Sequence, residues 1–205
     1  MATPYEECLE RNKKRERKVP EEVIKRMYFN FYIPQYYEGF DDIQIKYNSD
    51  YMFDFEDLED IPQDNPHHTL TILEHCQKIY SILHSRDCKI TGLKLRIAGL
   101  LHDIGKIQTK TFKNCKEETT KTAHYYSHEK VSAYNSLFYS IVKMVATGDN
   151  KDSINEALGI LSLIQWHMLL HFDLSEKTIR KYKNMLGEDV WRDLEILHKA
   201  DCEAR

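Results

Sequence analysis

The sequence predicts an all-α protein, a helical bundle with a small N-terminal appendage of helix and strand. Its 205 residues include only seven glycines and five prolines, too few turn-forming residues for a fold of many short strands. After Pro66, apolar residues recur at intervals of three and four, the spacing of helices that bury one face. A hydrophobic content of 41% with 30% charged residues is typical of a globular domain and excludes a disordered chain.

Apolar stripes predict the helices of the bundle. They extend over Leu70–Leu83, Leu93–Ile104, Val131–Val145, Ile154–Ile164 and Val190–Leu197. The fourth helix is predicted to begin with a capping box formed by Ser153 and Glu156. Between the second and third stripes, Thr109–Thr122 is polar and rich in lysine, which predicts an exposed loop or a small hairpin.

Composition divides the chain into three parts. These are an N-terminal segment at 1–49, an acidic linker at 50–65 and the helical bundle at 66–205. A short helix is predicted to start at Pro20, and the alternation of Ile43, Ile45 and Tyr47 with polar residues predicts one isolated strand. The density of carboxylates in the linker predicts a solvated segment.

Charge, cysteine content and hydropathy exclude several classes of protein. A net charge of -4 lacks the basic footprint of a duplex-DNA binder, so no sequence-specific DNA binding is expected. Five cysteines without a C-x-x-C pair predict reduced thiols, with neither a disulfide framework nor a cysteine zinc site. No apolar run reaches the roughly 20 residues needed to cross a bilayer, and Met1–Lys18 has no signal-peptide core. We therefore expect a cytoplasmic protein without a membrane partner.

Ionisable residues lie on the apolar stripes, where core residues belong. They are His75, His102, Asp103, His128, His167 and Asp201. A single inward histidine is more often a hydrogen-bonded core residue, but an unpaired buried carboxylate costs several kcal/mol, and a shared cation satisfies the whole set. Imidazole with carboxylate suits Zn, Fe, Mn, Ni or Co, and a site without thiolates is expected to keep open positions for an activated water.

The order of these residues resembles the HD-domain metal-dependent phosphohydrolases. Leu100–Lys106 is similar to the central motif of that family, and the resemblance covers Pro66 to Arg205. Within the family, His67–Leu70 and Tyr126–Glu129 resemble the HD domains of CCA-adding tRNA nucleotidyltransferases, with Ser127 where those usually carry glycine.

The resemblance implies a role for each matching residue. His75, His102, Asp103 and Asp201 match the ligands of a first metal, while His128 and His167 match positions that hold a second metal or the phosphate. Asp103 and Lys106 are the implied catalytic residues. Lys106 and His68 are the implied substrate-binding residues, although an exposed lysine at a helix end is the alternative for Lys106. The cofactor would be one or two divalent ions, Mn, Fe, Ni, Co, Zn or Mg.

The N-terminal segment carries a second resemblance. Thr3–Cys8, Arg11, Arg15 and Glu38–Asp41 are similar to the lid and C-terminal end of P-loop kinases of the polynucleotide-kinase type. The chain contains no G-x-x-x-x-G-K-[ST], so no kinase activity is expected, and the resemblance implies part of a kinase–phosphohydrolase fusion. The alternative is an unrelated basic helix.

The same segment is rich in apolar residues that must be shielded from water by other parts of the protein. They are Tyr28, Phe29, Phe31, Tyr32, Ile33, Tyr36 and Tyr37. The bundle or a second copy of the chain would supply that cover, and the second case predicts a homodimer.

These observations predict a metal-dependent phosphohydrolase. The resemblances imply phosphomonoesters or 2′,3′-cyclic phosphates of nucleotides or RNA ends as substrates. Lys110, Lys113, Lys116 and Lys121 would add local positive charge, or they form a solvated loop. The alternatives are a hydrolase of dinucleoside polyphosphates or nucleoside triphosphates, and a non-catalytic nucleotide-binding module. The last predicts loss of metal ligands, whereas every expected ligand is present.

Overall fold

The computed structural model describes residues 1–66, 69–85, 92–148 and 150–205. The predicted all-α fold is confirmed, because helices form most of the chain and the sheet is a single two-stranded hairpin. The helices are α1 Tyr5–Lys14, α2 Glu21–Phe29, α3 Ile72–Ser85, α4 Leu93–Leu101, α5 Lys106–Thr109, α6 His128–Ser136, α7 Ser140–Ala146, α8 Lys151–Trp166, α9 Glu176–Leu186 and α10 Glu188–Glu203. Short 3-10 turns occupy Tyr36–Glu38, Phe55–Asp57 and His167–His171.

Helix α8 lies at the centre of the bundle and packs against α4, α6, α7 and α10. Its apolar spacing places Leu161 and Ile164 in the core, where both are fully buried. Helices α3 and α4 pack closely because Gly99 has no side chain. A Cβ at Gly99 would lie 2.6 Å from Leu83 Cδ1 and 2.9 Å from Ile79 Cγ2.

The third apolar stripe forms two helices, so the prediction of one continuous helix is wrong. Between α6 and α7 the chain turns, and Phe53 pairs with this turn: its amide donates to the Phe138 carbonyl at 3.0 Å, and its carbonyl accepts from the Ser140 amide at 3.0 Å. The apolar spacing continues across the turn because Phe138 and Val142 both face the core. Periodicity alone therefore could not locate the break.

Two other local predictions are corrected. Helix α8 begins at Lys151, and its N-cap is Asn150, whose side chain accepts from the Ser153 amide at 2.8 Å; the predicted Ser153 capping box is absent because Ser153 already lies in the first turn. Among the described N-terminal residues, 43–47 form no strand, and Tyr47 makes only a single bridge with Ala2.

The polar segment after α5 forms the hairpin that was one of its two predicted structures. Strand β1 Thr111–Lys113 pairs antiparallel with β2 Thr119–His124, and Thr111 lies opposite His124. The hairpin brings Ala123 and His124 beside the polar cluster described below.

The N-terminal segment packs on the bundle. Helix α2 follows Pro20 as predicted, whereas the bounds of α1 were not predicted and a helix in this segment was only the alternative. The Tyr28 hydroxyl donates to Asn135 Oδ1 at 2.6 Å, the Ile33 amide donates to Gln165 Oε1 at 2.6 Å, and the Tyr47 hydroxyl donates to the Leu137 carbonyl at 2.9 Å. The bundle thus covers part of the apolar surface of this segment.

The acidic residues at 50–65 support the start of α3. Asp60 Oδ1 accepts from the Leu73 amide at 3.1 Å, and Asp60 Oδ2 accepts from the Thr71 hydroxyl at 2.8 Å. Phe53 and Phe55 from the same segment are buried in the core. The division at 1–49, 50–65 and 66–205 stays a prediction. In the described part of the chain, no helix combines the length and apolar character needed to cross a membrane.

Candidate metal centre

The structure brings six of the sequence-predicted site residues together at one end of the bundle. His75 lies on α3, His102 and Asp103 follow α4, His128 begins α6, His167 follows α8, and Asp201 lies on α10. All six are buried, with exposed fractions of 6% or less. Helices distant in sequence therefore contribute to one polar cluster inside an apolar core.

Asp103 is the centre of this cluster. Its Oδ2 lies 3.3 Å from His102 Nε2 and 3.7 Å from His75 Nε2, and its Oδ1 lies 3.2 Å from His128 Nε2 and 3.6 Å from His167 Nε2. Each carboxylate oxygen thus faces one pair of imidazoles. This placement would allow Asp103 to bridge two cations.

Asp201 completes the half of the cluster that contains His75. Its Oδ1 lies 3.0 Å from His75 Nε2. Possible ligand atoms of His75, His102 and Asp201 lie within 4.8 Å of one another, and the same holds for His102, Asp103 and His167. Both groups combine imidazole nitrogen with carboxylate oxygen, the donor set of Zn, Mn, Fe, Co and Ni sites.

Main-chain carbonyls orient three of the histidines. His102 Nδ1 lies 2.9 Å from the Gly99 carbonyl oxygen, and His128 Nδ1 lies 2.8 Å from the Tyr125 carbonyl oxygen. His167 Nδ1 lies 2.7 Å from the Ile164 carbonyl oxygen. Because a carbonyl oxygen only accepts, Nδ1 of each ring carries the proton, and Nε2 of the neutral ring points its lone pair into the cluster. This is the orientation of a metal-binding histidine.

His128 and His167 face each other across the cluster. Their Nε2 atoms are 3.2 Å apart, and each ring uses its Nδ1 hydrogen on a carbonyl. Two neutral rings so oriented would point two lone pairs at each other. A shared proton or a bound cation relieves that repulsion, so the donor set fits a second ion as well as the first.

Electrostatics keep the carboxylates charged. Burial alone would raise the pKa of Asp103, but the nearby His102 and Lys106 outweigh burial and hold that pKa well below its usual range. Burial likewise opposes ionisation of Asp201, yet hydrogen bonds from His171 and His75 lower its pKa. Both carboxylates therefore present the ionised form that binds cations.

The pKa values of His167 and His102 are shifted in opposite directions. Burial lowers the pKa of His167 to about 4, which keeps this ring neutral. Burial also acts to lower the pKa of His102, but the charge of Asp103 and its hydrogen bond outweigh that effect and raise the pKa well above the usual value.

Lys106 is buried, so the alternative of an exposed lysine at a helix end is wrong. Its Nζ lies 2.6 Å from Asp103 Oδ2 and 3.1 Å from Gln63 Oε1, and 5.4 Å from the centre of the Tyr125 ring. Gly105 allows α5 to approach α6 closely enough for this placement, since its amide donates to Ser132 Oγ at 2.8 Å. The implied contact of Lys106 with phosphate stays a prediction.

A cleft of about 270 Å³ opens onto the cluster. Its walls include Asp103, Lys106, His128, His167 and Asp201, together with Tyr126 at the rim. A larger apolar cavity of about 490 Å³ lies beside α1 and α2, away from the polar cluster. We take the smaller cleft as the site because it alone of the two is lined by carboxylates and histidines of the cluster.

His68 and the remaining lysines complete the predicted set. His68 lies outside the described residues. Lys110 pairs with Asp64 at 2.7 Å, and Lys113 pairs with Glu117 at 3.2 Å within the hairpin. These pairs partly neutralise the local positive charge expected from the lysines of the hairpin.

His171 was missed by sequence reasoning. It ends the 3-10 turn after α8, and its Nε2 lies 2.8 Å from Asp201 Oδ2. The available signal was the spacing of His167 and His171, which four-residue periodicity would place on one face of a helix. The predicted apolar stripe ends at Ile164, so the predicted set of site residues did not include His171.

Residues 67–147 match the family model described as the HD domain. This match supports an HD-domain family and, in general, a metal-dependent phosphohydrolase activity. It includes His75, His102, Asp103 and His128, while His167 and Asp201 join the cluster from beyond it. Comparison with curated proteins and with solved structures found no match. The likeness to CCA-adding enzymes and to a kinase lid therefore stays a prediction.

Proposed function

We propose, on the premise that residues 67–147 form an HD domain, that this protein hydrolyses phosphate esters with the help of divalent cations. The proposed substrates are phosphomonoesters or 2′,3′-cyclic phosphates of nucleotides or RNA ends. The observation that carries the proposal is the convergence of four inward-facing imidazoles on the ionised Asp103 at the base of an open cleft. A merely structural polar core would not need an opening to solvent.

The residues divide into two sets of ligands. His75, His102, Asp103 and Asp201 would hold the first ion, and Asp103 with His128 and His167 would hold a second ion or contact the phosphate. When bound, a divalent cation lowers the pKa of a coordinated water and polarises a phosphoryl oxygen. The buried carbonyl partners of His102, His128 and His167 hold these rings in the ligand orientation before substrate arrives.

Lys106 and Arg205 would position the phosphate. Lys106 Nζ lies beside Asp103 at the base of the cleft, and Arg205 lines the same cleft. Their positive charges would hold the phosphoryl oxygens and stabilise the negative charge that develops on them. The buried walls around Asp103 limit access of water to the cleft mouth.

The aromatic rim of the cleft supports a nucleotide as substrate. The rings of His124 and Tyr126 stack with centroids 5.6 Å apart and an interplanar angle of 6°. Both residues line the cleft, and the Tyr126 side chain is exposed. An exposed aromatic face suits stacking against a base whose phosphate reaches Lys106.

A hydrolysis assay that follows both phosphate release and the nucleotide products tests this function. Metal-stripped protein is supplied with Mn, Co, Ni or Mg and offered nucleoside monophosphates, 2′,3′-cyclic nucleotides, RNA ends, dinucleoside polyphosphates and nucleoside triphosphates. We expect metal-dependent phosphate release from monophosphates or RNA ends, or opening of the cyclic phosphate to a 2′- or 3′-monophosphate seen by chromatography, and loss of that hydrolysis in Asp103→Asn. Hydrolysis confined to the last two classes would overturn the substrate proposal, and no hydrolysis with any metal would overturn the enzymatic one.

Asp193→Asn is the matched control. Asp193 is also a buried aspartate, but its partner at 2.7 Å is Lys94 and not a histidine of the cluster. We expect this variant to keep its activity. Equal losses in Asp193→Asn and Asp103→Asn would assign the effect to folding instead of catalysis.

A further inference from the structure

A second group of side chains that could bind a metal lies at the C-terminal end of α10. It lies beside the cluster centred on Asp103, which is called the HD cluster below. His198 and Cys202 are four residues apart on this helix and therefore share one face. His171, at the end of the 3-10 turn after α8, packs against them, with its ring centre 4.4 Å from that of His198. No role in the proposed hydrolysis accounts for His198 or Cys202.

The spacing of the three side chains fits a tetrahedral ion. His171 Nε2 lies 3.4 Å from His198 Nδ1, and Cys202 Sγ lies 4.0 Å from the same Nδ1. Ion-to-ligand distances of about 2.0–2.3 Å place neighbouring ligand atoms of a tetrahedral site about 3.3–3.8 Å apart. The three ligand atoms, which all lie within 4.8 Å of one another, are thus close to that arrangement.

We propose that His171, His198 and Cys202 form a second transition-metal site at the rim of the cleft. A thiolate with two imidazoles favours Zn, Co, Ni or Cu over Mg or Mn, because sulfur is a soft ligand. The HD cluster offers only nitrogen and oxygen among the ligands assigned to it. The two sites therefore differ in the class of metal that they prefer.

Asp201 links the two sites. One of its oxygens lies 3.0 Å from His75 Nε2 in the HD cluster, and the other lies 2.8 Å from His171 Nε2. The Arg205 guanidinium donates to His171 Nδ1 at 3.0 Å, so in the metal-free protein Nε2 carries the proton given to Asp201. An ion at the rim would displace that proton from Nε2 and the proton from the Cys202 thiol.

Arg205 does not block this change. Its side chain is 42% exposed, so it can turn toward solvent when His171 Nδ1 becomes the protonated nitrogen. Asp201 Oδ2 would then be released from the His171 hydrogen bond. This oxygen, 2.8 Å from His171 Nε2, could then act as a fourth ligand.

Cobalt spectroscopy on the full chain tests the proposal. Metal-stripped protein, kept reduced with a phosphine, is titrated with Co²⁺ and followed by absorption. A thiolate ligand gives a sulfur-to-cobalt charge-transfer band in the near ultraviolet, which nitrogen and oxygen ligands do not give. We expect the band in the unmodified protein, its loss in Cys202→Ser, and about one fewer bound cobalt ion per chain in that variant.

Two further variants make the result specific. Cys115→Ser changes an exposed cysteine on the hairpin and should keep the band. Asp103→Asn, which removes a ligand of the HD cluster, should keep the band while phosphate release is lost, so failure of the rim site and failure of the proposed function are distinguishable. A band that persists in Cys202→Ser, or that is absent from the unmodified protein, would overturn the rim site.

Discussion

Lys106 and Asp103 form a buried ion pair at the base of the cleft, with Nζ 2.6 Å from Oδ2. Their side chains are only 9% and 4% exposed. A protein cation thus already lies against the carboxylate that we assign to the metal. Any ion that binds Asp103 Oδ2 must share this oxygen with the lysine or displace it.

This pair predicts an unusual response to loss of the lysine. Lys106→Met leaves the charge of Asp103 buried without its closest cation, and breaking a buried pair in this way destabilises a protein by about 3–5 kcal/mol. A divalent cation replaces the lost charge, so added Mn²⁺ should raise the melting temperature of Lys106→Met more than that of the unmodified protein. Phosphate release should fall, because the proposed contact of Lys106 with the phosphate is lost.

Lys94→Met is the control for that prediction. It breaks another lysine–aspartate pair, that of the partly exposed Lys94 with the buried Asp193 at 2.7 Å, outside the cluster. Its melting temperature should fall without any additional gain from Mn²⁺. Equal gains in the two variants would contradict competition between Lys106 and the metal.

Gly105 is predicted to be intolerant of a side chain. A Cβ at this position would lie 2.5 Å from the Ser132 amide nitrogen and 2.8 Å from Ser132 Oγ, so α5 and α6 would have to separate. We expect Gly105→Ala to lower the free energy of unfolding by about 1–3 kcal/mol, measured by urea denaturation. It should also weaken metal binding, because the Asp103–Lys106 segment would shift.

Gly92→Ala provides the comparison. No heavy atom lies within 4 Å of a Cβ built at Gly92, which precedes α4 with φ of -60°. Alanine is a poorer N-cap than glycine but restricts the unfolded chain, and these opposed effects should leave the unfolding free energy within about 1 kcal/mol of its original value. Similar losses of unfolding free energy in both variants would show that the close approach of α5 and α6 does not explain the intolerance of Gly105 to a side chain.

Alkaline pH should loosen the N-terminal segment. Burial raises the pKa of Tyr28 above the ordinary value of 10.0, despite its hydrogen bond to Asn135. The unfolded chain loses this proton near pH 10 while the folded chain keeps it. Stability is therefore unaffected below pH 10 and falls as the pH rises from there toward the folded pKa, by up to about 1.4 kcal/mol per pH unit for one group.

Tyr28→Phe measures the contribution of this hydroxyl. Above pH 10, the unfolding free energy of the variant should fall less steeply than that of the unmodified protein. Denaturant titration at each pH measures this free energy. The same substitution removes the 2.6 Å hydrogen bond to Asn135 Oδ1, and this loss should lower the unfolding free energy at neutral pH by about 1 kcal/mol. An unchanged slope above pH 10 would exclude Tyr28 as the titrating group.

The N-terminal segment also bears on assembly. The bundle buries Tyr28 and Ile33, yet Phe31, Tyr32 and Tyr37 stay exposed, and these are the residues through which we predict a homodimer. A substituted protein with Phe31, Tyr32 and Tyr37 all changed to Ser should be monomeric by light scattering. A mass unchanged by these substitutions would rule out a dimer contact made through these three aromatic residues.

The sequence by itself determined the fold class and the direction in which the ionisable residues point. Helical periodicity depends on local geometry, so it placed His75 and Asp201 on buried stripes before any contact was known. The HD-like run Leu100–Lys106 likewise identified Asp103 as central. Because each helix buries its own apolar face, these conclusions needed no knowledge of how the helices pack.

Only the tertiary structure decided which groups meet. Periodicity reports the face of one helix and carries no distance to another, so it could not pair Lys106 with Asp103 or bring His171 to Asp201. Nor could it find the turn between α6 and α7, which is stabilised by hydrogen bonds to Phe53 from a distant segment. The contact of His171 with Asp201, for example, depends on how α10 packs against the 3-10 turn, α8 and α3, which is a property of the assembled core and not of any single stretch of sequence.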